Sequence, residues 1–358
     1  MTTPIRIGVI GTGIGATHIK VFHHLDGVEV VAVASADRQR AVNAAAQYGI
    51  RLATDDYRAL IASDVDAVVI STPPALHREM VVAAATAGKH VFCEKPLSLT
   101  FSDAVAMIDA VSQAGIVVLI NFHLRFAPGF STAHRLLEAG KIGQITNIDA
   151  SVTVNPIDYV NASWGSDSKL GWFTDPAHGG GLLRSSAGPH LVDLILWLGG
   201  SIETLVATTM TSRPRVPLAA EGREIEVQVD DAFAMIGRLS NGALATMRGL
   251  AVAEHETEFE VTIHGTEGSL YISPSSLRGM LQGDDQVHEI SIDHQDPRRA
   301  IAGTFIDAIR GNGGSPRPDF TDGARAQAVL EACTQSAAAD CWVEVQQTPN
   351  THSDESRT

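Results

Sequence analysis

Short apolar runs rich in β-branched residues alternate with helix-period segments over the first third of the chain. Ile5–Ile10, Val28–Ala34, Ala67–Ile70, His90–Cys93 and Val117–Asn121 read as strands, and where the pattern is clearest they stay apolar at successive positions. A strand apolar on both faces belongs to a sheet covered by helices on both sides, so residues 1–124 are expected to form stacked βαβ units around a parallel sheet. From about Ile145 the runs lengthen: Thr146–Val154, Glu226–Leu239, Ala243–Gly249, Glu258–His264 and Ser269–Ile272. Several alternate apolar with polar side chains and end in turn signals such as Ser240-Asn241-Gly242, which predicts antiparallel pairing. One helical segment, Pro189–Leu198, sits among these strands, and Arg298–Arg310 and Gly323–Cys341 follow them. Residues 125–345 are therefore expected to form a second, α+β domain, ahead of a polar tail over 346–358.

Length agrees, because 358 residues make two units at roughly 100–200 residues per domain. The balance of 26 basic against 41 acidic residues, net −15 and without a basic stripe, disfavours nucleic acid and anionic membranes as partners. The chain runs from Met1-Thr2-Thr3-Pro4 straight into a strand and holds no apolar run near 18 residues, so a cytoplasmic location is expected. Cys93, Cys333 and Cys341 make neither a disulfide framework nor a Cys-x-x-Cys pair, and the 14 histidines show no metal-ligand spacing, so no metal is expected.

Gly11-Thr12-Gly13-Ile14-Gly15-Ala16 follows the first strand and opens a helix, the context in which a glycine loop binds a dinucleotide. Gly11 permits the tight turn, Gly13 the approach of backbone to a pyrophosphate, and Ala16 the packing of helix on strand, with the helix N-terminus facing the phosphates. After the second strand, Ser35 stands where a ribose-binding acid often stands, followed by Asp37, Arg38 and Arg40. A serine beside arginines tolerates a 2′-phosphate, whereas Asp37 can still reach a free diol, so NAD and NADP both stay open with a lean to NADP. The strand His90–Cys93 then delivers Glu94-Lys95-Pro96 to the carboxyl edge of the sheet, where such folds bind ligands.

With this loop and tripeptide, the chain resembles the glucose–fructose oxidoreductase/inositol dehydrogenase (Gfo/Idh/MocA) family from Ile5 to about Val345. The likeness extends through Ser71-Thr72-Pro73-Pro74 with His77, Asn121 to Phe126, Gly140-Lys141-Ile142-Gly143, Gly179 to Gly181, Gly188 to Asp193, Gly265 to Gly268, and Asp322-Gly323-Ala324. It implies a Rossmann domain, then an open-faced, mainly antiparallel sheet, with the active site in the cleft between them and homodimers or homotetramers formed through that sheet. It also implies that Lys95 and His190 are catalytic, and that Ser71, Thr72, Pro73, His77, Glu94, Pro96 and Asn121 line the cofactor cleft.

His123, Arg125, Trp164, Ser186 and Asp193 are candidate substrate contacts, each with a structural alternative. Asp193 shares a helical face with His190, and Arg125 can equally pair with a carboxylate; Arg184, if it faces the cleft, favours an anionic substrate. Ser186 departs from the family, many of whose sugar and cyclitol dehydrogenases carry an aspartate there, and His18 lies one residue nearer the glycines than usual and is assigned no role. The expected activity is hydride transfer between a nicotinamide and a secondary carbinol or ketone of a sugar, cyclitol or related polyhydroxylated ring. Dihydrodiol oxidation, imine or lactone chemistry, a glycosidase using NAD transiently, and a non-catalytic dinucleotide sensor are the alternatives.

Overall fold

The computed structural model describes residues 3–154, 175–218, 223–251, 255–312 and 314–347. Its N-terminal strands β1 (Ile5–Ile10), β2 (Val28–Ala34), β3 (Leu52–Thr54), β4 (Ala67–Ile70), β5 (His90–Cys93) and β6 (Val118–Ile120) pair in parallel in the order β3-β2-β1-β4-β5-β6. That order reverses between β1 and β4, which opens a crevice at the carboxyl ends of the strands. Helices α1 (Gly15–His23), α2 (Arg38–Tyr48), α3 (Tyr57–Ile61), α4 (His77–Thr86) and α5 (Phe101–Ala114) form the crossovers. The buried positions of α1, Gly15, His18, Ile19 and Phe22, recur at helical spacing, so a histidine occupies a core position.

After α6 (Pro128–Glu138), the second sheet takes nine strands: β7 (Ile145–Thr153), β8 (Ile202–Met210), β11 (Ala232–Leu239), β12 (Leu244–Leu250), β13 (Glu260–Gly265), β14 (Ser269–Ile272), β15 (Leu277–Met280), β16 (His288–Glu289) and β17 (Val343–Glu344). All pairings are antiparallel except β7 with β12. The helices α7 (Ala187–Gly199) and α9 (Phe320–Ala339) pack against it. The opposite face is open: Arg238, Ile236 and Leu244 point outward, with Ile236 at 46% and Leu244 at 43% exposure.

Two strand expectations change. Glu226–Leu239 divides into β10 (Arg223–Glu226), which forms a separate ribbon with β9 (Arg215–Leu218), and β11. The break falls at Asp230 and Asp231, whose carboxylates accept backbone N–H groups from Leu183 and from Ser212 and Arg213. Short acids that bond nearby backbone compete with a ladder. The strand β8, unforeseen from the sequence, lies one strand from the edge of the sheet and pairs with β11 along its length. Helix α9 starts ahead of the expected Gly323 because Asp319 and Asp322 form a capping box.

Helix α8 (Pro297–Ile309), capped by Asp296 and opened by Pro297, crosses back to the parallel sheet. Its Ile301, Ala302, Phe305 and Ile306 complete the core made by Ile7, Val9, Ile19 and Phe22. Phe22, Phe92 and Phe305 meet edge to face, with ring centroids 5.5 to 6.5 Å apart. This packing fixes the first turn of α8 beside His123–Phe126, a 3-10 turn at the mouth of the crevice. No helix among the described residues is long and apolar enough to cross a membrane.

Candidate active site

A cleft of about 650 Å³ runs from the glycine loop to α7 and takes residues from both sheets. Gly11, Thr12, Gly13 and Ile14 line one stretch, Ser35, Asp37 and Arg40 another, and Lys95, Asn121, His123, Ser186, His190, Phe259 and Arg298 the far end. Gly11 adopts φ +101°, and a Cβ there would lie 2.4 Å from the Ser71 carbonyl oxygen, so no side chain fits. The close helix–strand packing expected of Ala16 falls instead to Gly15, where a Cβ would lie 2.6 Å from Ser71 Oγ and 3.3 Å from Val9; Ala16 is exposed. Helix α1 begins at Gly15, within the motif.

At the ribose end, Thr12 donates to Ser35 Oγ at 3.0 Å. The Asp37 carboxylate caps α2, accepting from the backbone N–H groups of Gln39 at 2.9 Å and Arg40 at 3.4 Å, with Arg40 Nε 3.9 Å away. Arg38, expected at the cofactor, is exposed, lies outside the lining and has its guanidinium 3.7 Å from Asp55. The helical twist carries position 38 to the outer face while position 40 turns inward.

Ser71, Thr72 and Pro73 line the cleft as expected, and Ser71 Oγ donates to the Ile10 carbonyl. His77, expected to touch cofactor, is fully buried and outside the lining. Its Nδ1 lies 3.0 Å from the Pro96 carbonyl and its Nε2 2.9 Å from the Thr72 carbonyl, so it ties the Thr72 turn to the Lys95-Pro96 turn. Burial pushes its pKa down. Pro96 is buried behind Lys95 and likewise stays outside the lining.

Glu94 anchors the sheet edge that carries Lys95. Its Oε1 lies 2.7 Å from His18 Nε2 and accepts from Asn121 Nδ2 at 2.7 Å, while Oε2 accepts the Lys95 backbone N–H at 3.1 Å. Burial opposes ionisation of Glu94, but His18, Lys95 and Asn121 outweigh it and hold the carboxyl at about 2. His18 is thus a site-supporting residue that motif reading passed over; its inward helical phase was the available signal. Because the folded pKa is depressed, the stabilisation is present above the unfolded value and lost as pH falls through the folded one. Glu94→Gln should therefore lower stability at neutral pH by on the order of 3 kcal/mol, and the gap to the parent should close as pH falls from about 4.5 towards 2. Chemical denaturation across that range checks this, and a gap unchanged by pH would exclude the carboxylate as its source.

Lys95 Nζ donates to the backbone carbonyls of Ser185 at 2.9 Å and Ser186 at 3.0 Å. Both belong to a π-helical turn, Leu182–Ser186, that leads into α7. An ammonium has three protons, so one remains for the cleft. His190, 6% exposed on α7, meets His123 edge to face at 5.0 Å and Phe259 at 5.6 Å. Burial drives its pKa well below the ordinary value, and Lys95, His123 and Arg298 add to the effect. Burial, with Arg298 and Lys95, brings His123 down to about 4. Both imidazoles are therefore neutral near pH 7. His190 Nδ1, His123 Nδ1, Ser185 Oγ and Asn121 Oδ1 are buried with no hydrogen-bond partner among the described residues. Four unmet polar atoms around one cleft fit a polar ligand there.

Arg125 and Asp193 leave the substrate list. Arg125 donates from Nε and Nη2 to Asp193 at 2.6 to 3.1 Å, and its Nη2 lies 3.4 Å from Asp322; neither Arg125 nor Asp193 lines the cleft. One helical turn beyond His190, Asp193 faces the α9 side, where burial demands a counter-charge. Arg184 also turns away, donating to the Pro176 and Leu99 carbonyls. Trp164 lies outside the described residues. Arg298 and Phe259 were not foreseen, since no local motif marks them and only the return of α8 and β13 brings them to the cleft.

Both domains are similar to those of known proteins. Residues 5–122 match the oxidoreductase family with NAD-binding Rossmann fold, and residues 130–271 match the GFO/IDH/MocA C-terminal domain. Levoglucosan dehydrogenase of Pseudarthrobacter phenanthrenivorans is 30% identical over 359 residues, covering 88% of this chain and 89% of the relative. Inositol 2-dehydrogenase 2 of Saccharopolyspora erythraea is 29% identical over 354 residues, covering 96% of both. Among solved structures, levoglucosan dehydrogenase in complex with NADH and levoglucosan superposes with a TM-score of 0.84 at 28% identity, covering 96% of this chain and 100% of that one.

Proposed function

The chain belongs to the GFO/IDH/MocA family of NAD(P)-dependent oxidoreductases, and on that premise we propose that it interconverts a secondary carbinol and a ketone on a sugar, cyclitol or related polyhydroxylated ring. One observation carries the reading: Lys95 Nζ is fixed by two carbonyls at the same cleft end as the neutral, buried His190. The nicotinamide, when bound, accepts or returns the hydride. The remaining N–H of Lys95 donates to the carbinol oxygen and stabilises the charge that grows on it. The hydroxyl proton moves to the unprotonated nitrogen of His190, and returns from it in the reverse direction. Phe122 and Phe259, edge-on to His190, keep water from that proton. Ser71–Pro73 and the glycine loop hold the dinucleotide, and Gly11, which admits no Cβ, supports the fit.

At the ribose end our reading is NAD(H) in preference to NADP(H), the reverse of the sequence-based lean. The Asp37 carboxylate already occupies the N-terminus of α2, the place a 2′-phosphate would need, and repels a second anion there. The open face bearing Ile236 and Leu244 packs, in this reading, on another copy of the chain, so light scattering should give a mass above one chain.

A panel of cyclitols, hexoses, anhydrosugars and sugar acids, followed at the reduced-nicotinamide absorbance, tests the proposal. Net accumulation of reduced cofactor is expected, greater with NAD than with NADP. Glycoside cleavage without net reduction would place the transient-redox reaction here instead.

A further inference from the structure

The two ends of the cleft differ in charge. Its lining carboxylates other than Glu94 are Asp37, Asp55 and Glu79, contributed by the β2, α3 and α4 side, and Glu94 is engaged by His18 and Asn121. The end that holds His123 and His190 has two lining cations, Lys95 and Arg298, and Ser186 instead of an acid. Lys95 is bonded to two carbonyls. The Arg298 guanidinium has no hydrogen bond or ion pair among the described residues, although its backbone N–H is held by Asp296 in the first turn of α8. That turn is anchored through Ile301, Ala302 and Phe305, so the charge is delivered by a packed helix and not by a loop. Close by, His123 Nδ1, His190 Nδ1 and Ser185 Oγ are buried and unpartnered.

Arg298 presents an exposed guanidinium to the cleft, with no carboxylate among the described residues to meet it, and such a group can receive an anion. We propose that the substrate is a polyhydroxylated acid whose carboxylate is received by Arg298 while its carbinol lies between Lys95 and His190. This inference rests on the dehydrogenase reading and narrows its substrate class. The dinucleotide pyrophosphate offers the same anionic oxygens, but the glycine loop and the α1 N-terminus already serve it. A further consequence concerns His190, on which Arg298 exerts an unfavourable field when the imidazole is protonated. A carboxylate seated on Arg298 cancels that field, so the acid substrate makes its own base more basic than a neutral sugar does.

The test pairs each hexuronate with the hexose of the same ring configuration, glucuronate with glucose and galacturonate with galactose. Binding to the NADH complex is measured by calorimetry and turnover by cofactor reduction. The wild type should favour the acid of at least one pair by on the order of ten- to a hundredfold in both. Arg298→Gln should collapse that ratio, Arg298→Lys should keep part of it, and the Kd for NADH should move far less than the ratio. Preference for the neutral partner in every pair, or equal loss on both partners in Arg298→Gln, overturns the proposal while leaving the dehydrogenase intact. A large rise in the NADH Kd with an unchanged ratio assigns Arg298 to the pyrophosphate and also overturns it. Absence of NADH binding to the wild type overturns both readings.

Discussion

Lys95→Met should lower kcat by a factor on the order of 10² to 10⁴ while the Kd for NADH stays within a small factor. Methionine keeps the unbranched side chain out to its ε carbon and removes the charged nitrogen with all three donors. The Ser185 and Ser186 carbonyls lose their shared partner, and the growing charge on the carbinol oxygen loses its stabilising donor. Lys95→Arg provides the control, because it keeps the charge and contacts to the carbonyls but alters the donor geometry at the substrate. It should bind NADH normally and recover little turnover. If Lys95→Met lost cofactor affinity and turnover together, Lys95 would be a residue that holds the π-helical turn in place.

Arg125→Met should cost about 3–5 kcal/mol in stability, the penalty for stripping the counter-charge from a buried pair. The guanidinium joins Asp193 on α7 and Asp322 on α9, with side-chain exposures of 9%, 2% and 11%. Burial already lifts the Asp193 carboxyl to about 6 against the pull of Arg125. Without Arg125 the Asp193 carboxyl rises further and that of Asp322, which against burial Arg125 and Arg317 hold below its ordinary value, rises too; an acid whose folded pKa is raised destabilises the fold as pH increases towards that value. The deficit should therefore deepen as pH rises through about 6, where Asp193 ionises in the parent. Arg125→Met with Asp193→Leu should recover part of it, and a denaturation cycle over the parent, both single variants and the double variant measures the coupling. Additivity in that cycle would show that the pair is not coupled.

Legibility differed by element. Strands β1, β2, β4 and β5 were read to the residue, because strands buried on both faces leave an unbroken apolar run. The glycine loop and the Lys-Pro turn were legible because close approach and strand-end placement restrict residue type locally. Strand β8 was missed: its Glu203, Thr204, Thr208 and Thr209 mask the alternation until β11 pairs with it. Asp193 and Arg125 looked like substrate groups because helical spacing places Asp193 near His190 in sequence, whereas the side-chain direction is decided by α9. Arg298 was invisible for a similar reason. Its position depends on a helix that returns from the far end of the chain to pack on Phe22 and Phe92. Local chemistry was thus readable where backbone geometry demanded it and unreadable where tertiary contacts supplied the partner.

The most direct test of the account is label transfer. A polyhydroxylated acid deuterated at its carbinol carbon, incubated with the wild-type protein and NAD, should yield reduced cofactor that carries one deuterium, detected by mass spectrometry. Reduced cofactor without the label, or ketone formed with no reduced cofactor at all, would contradict hydride transfer as the reaction of this cleft.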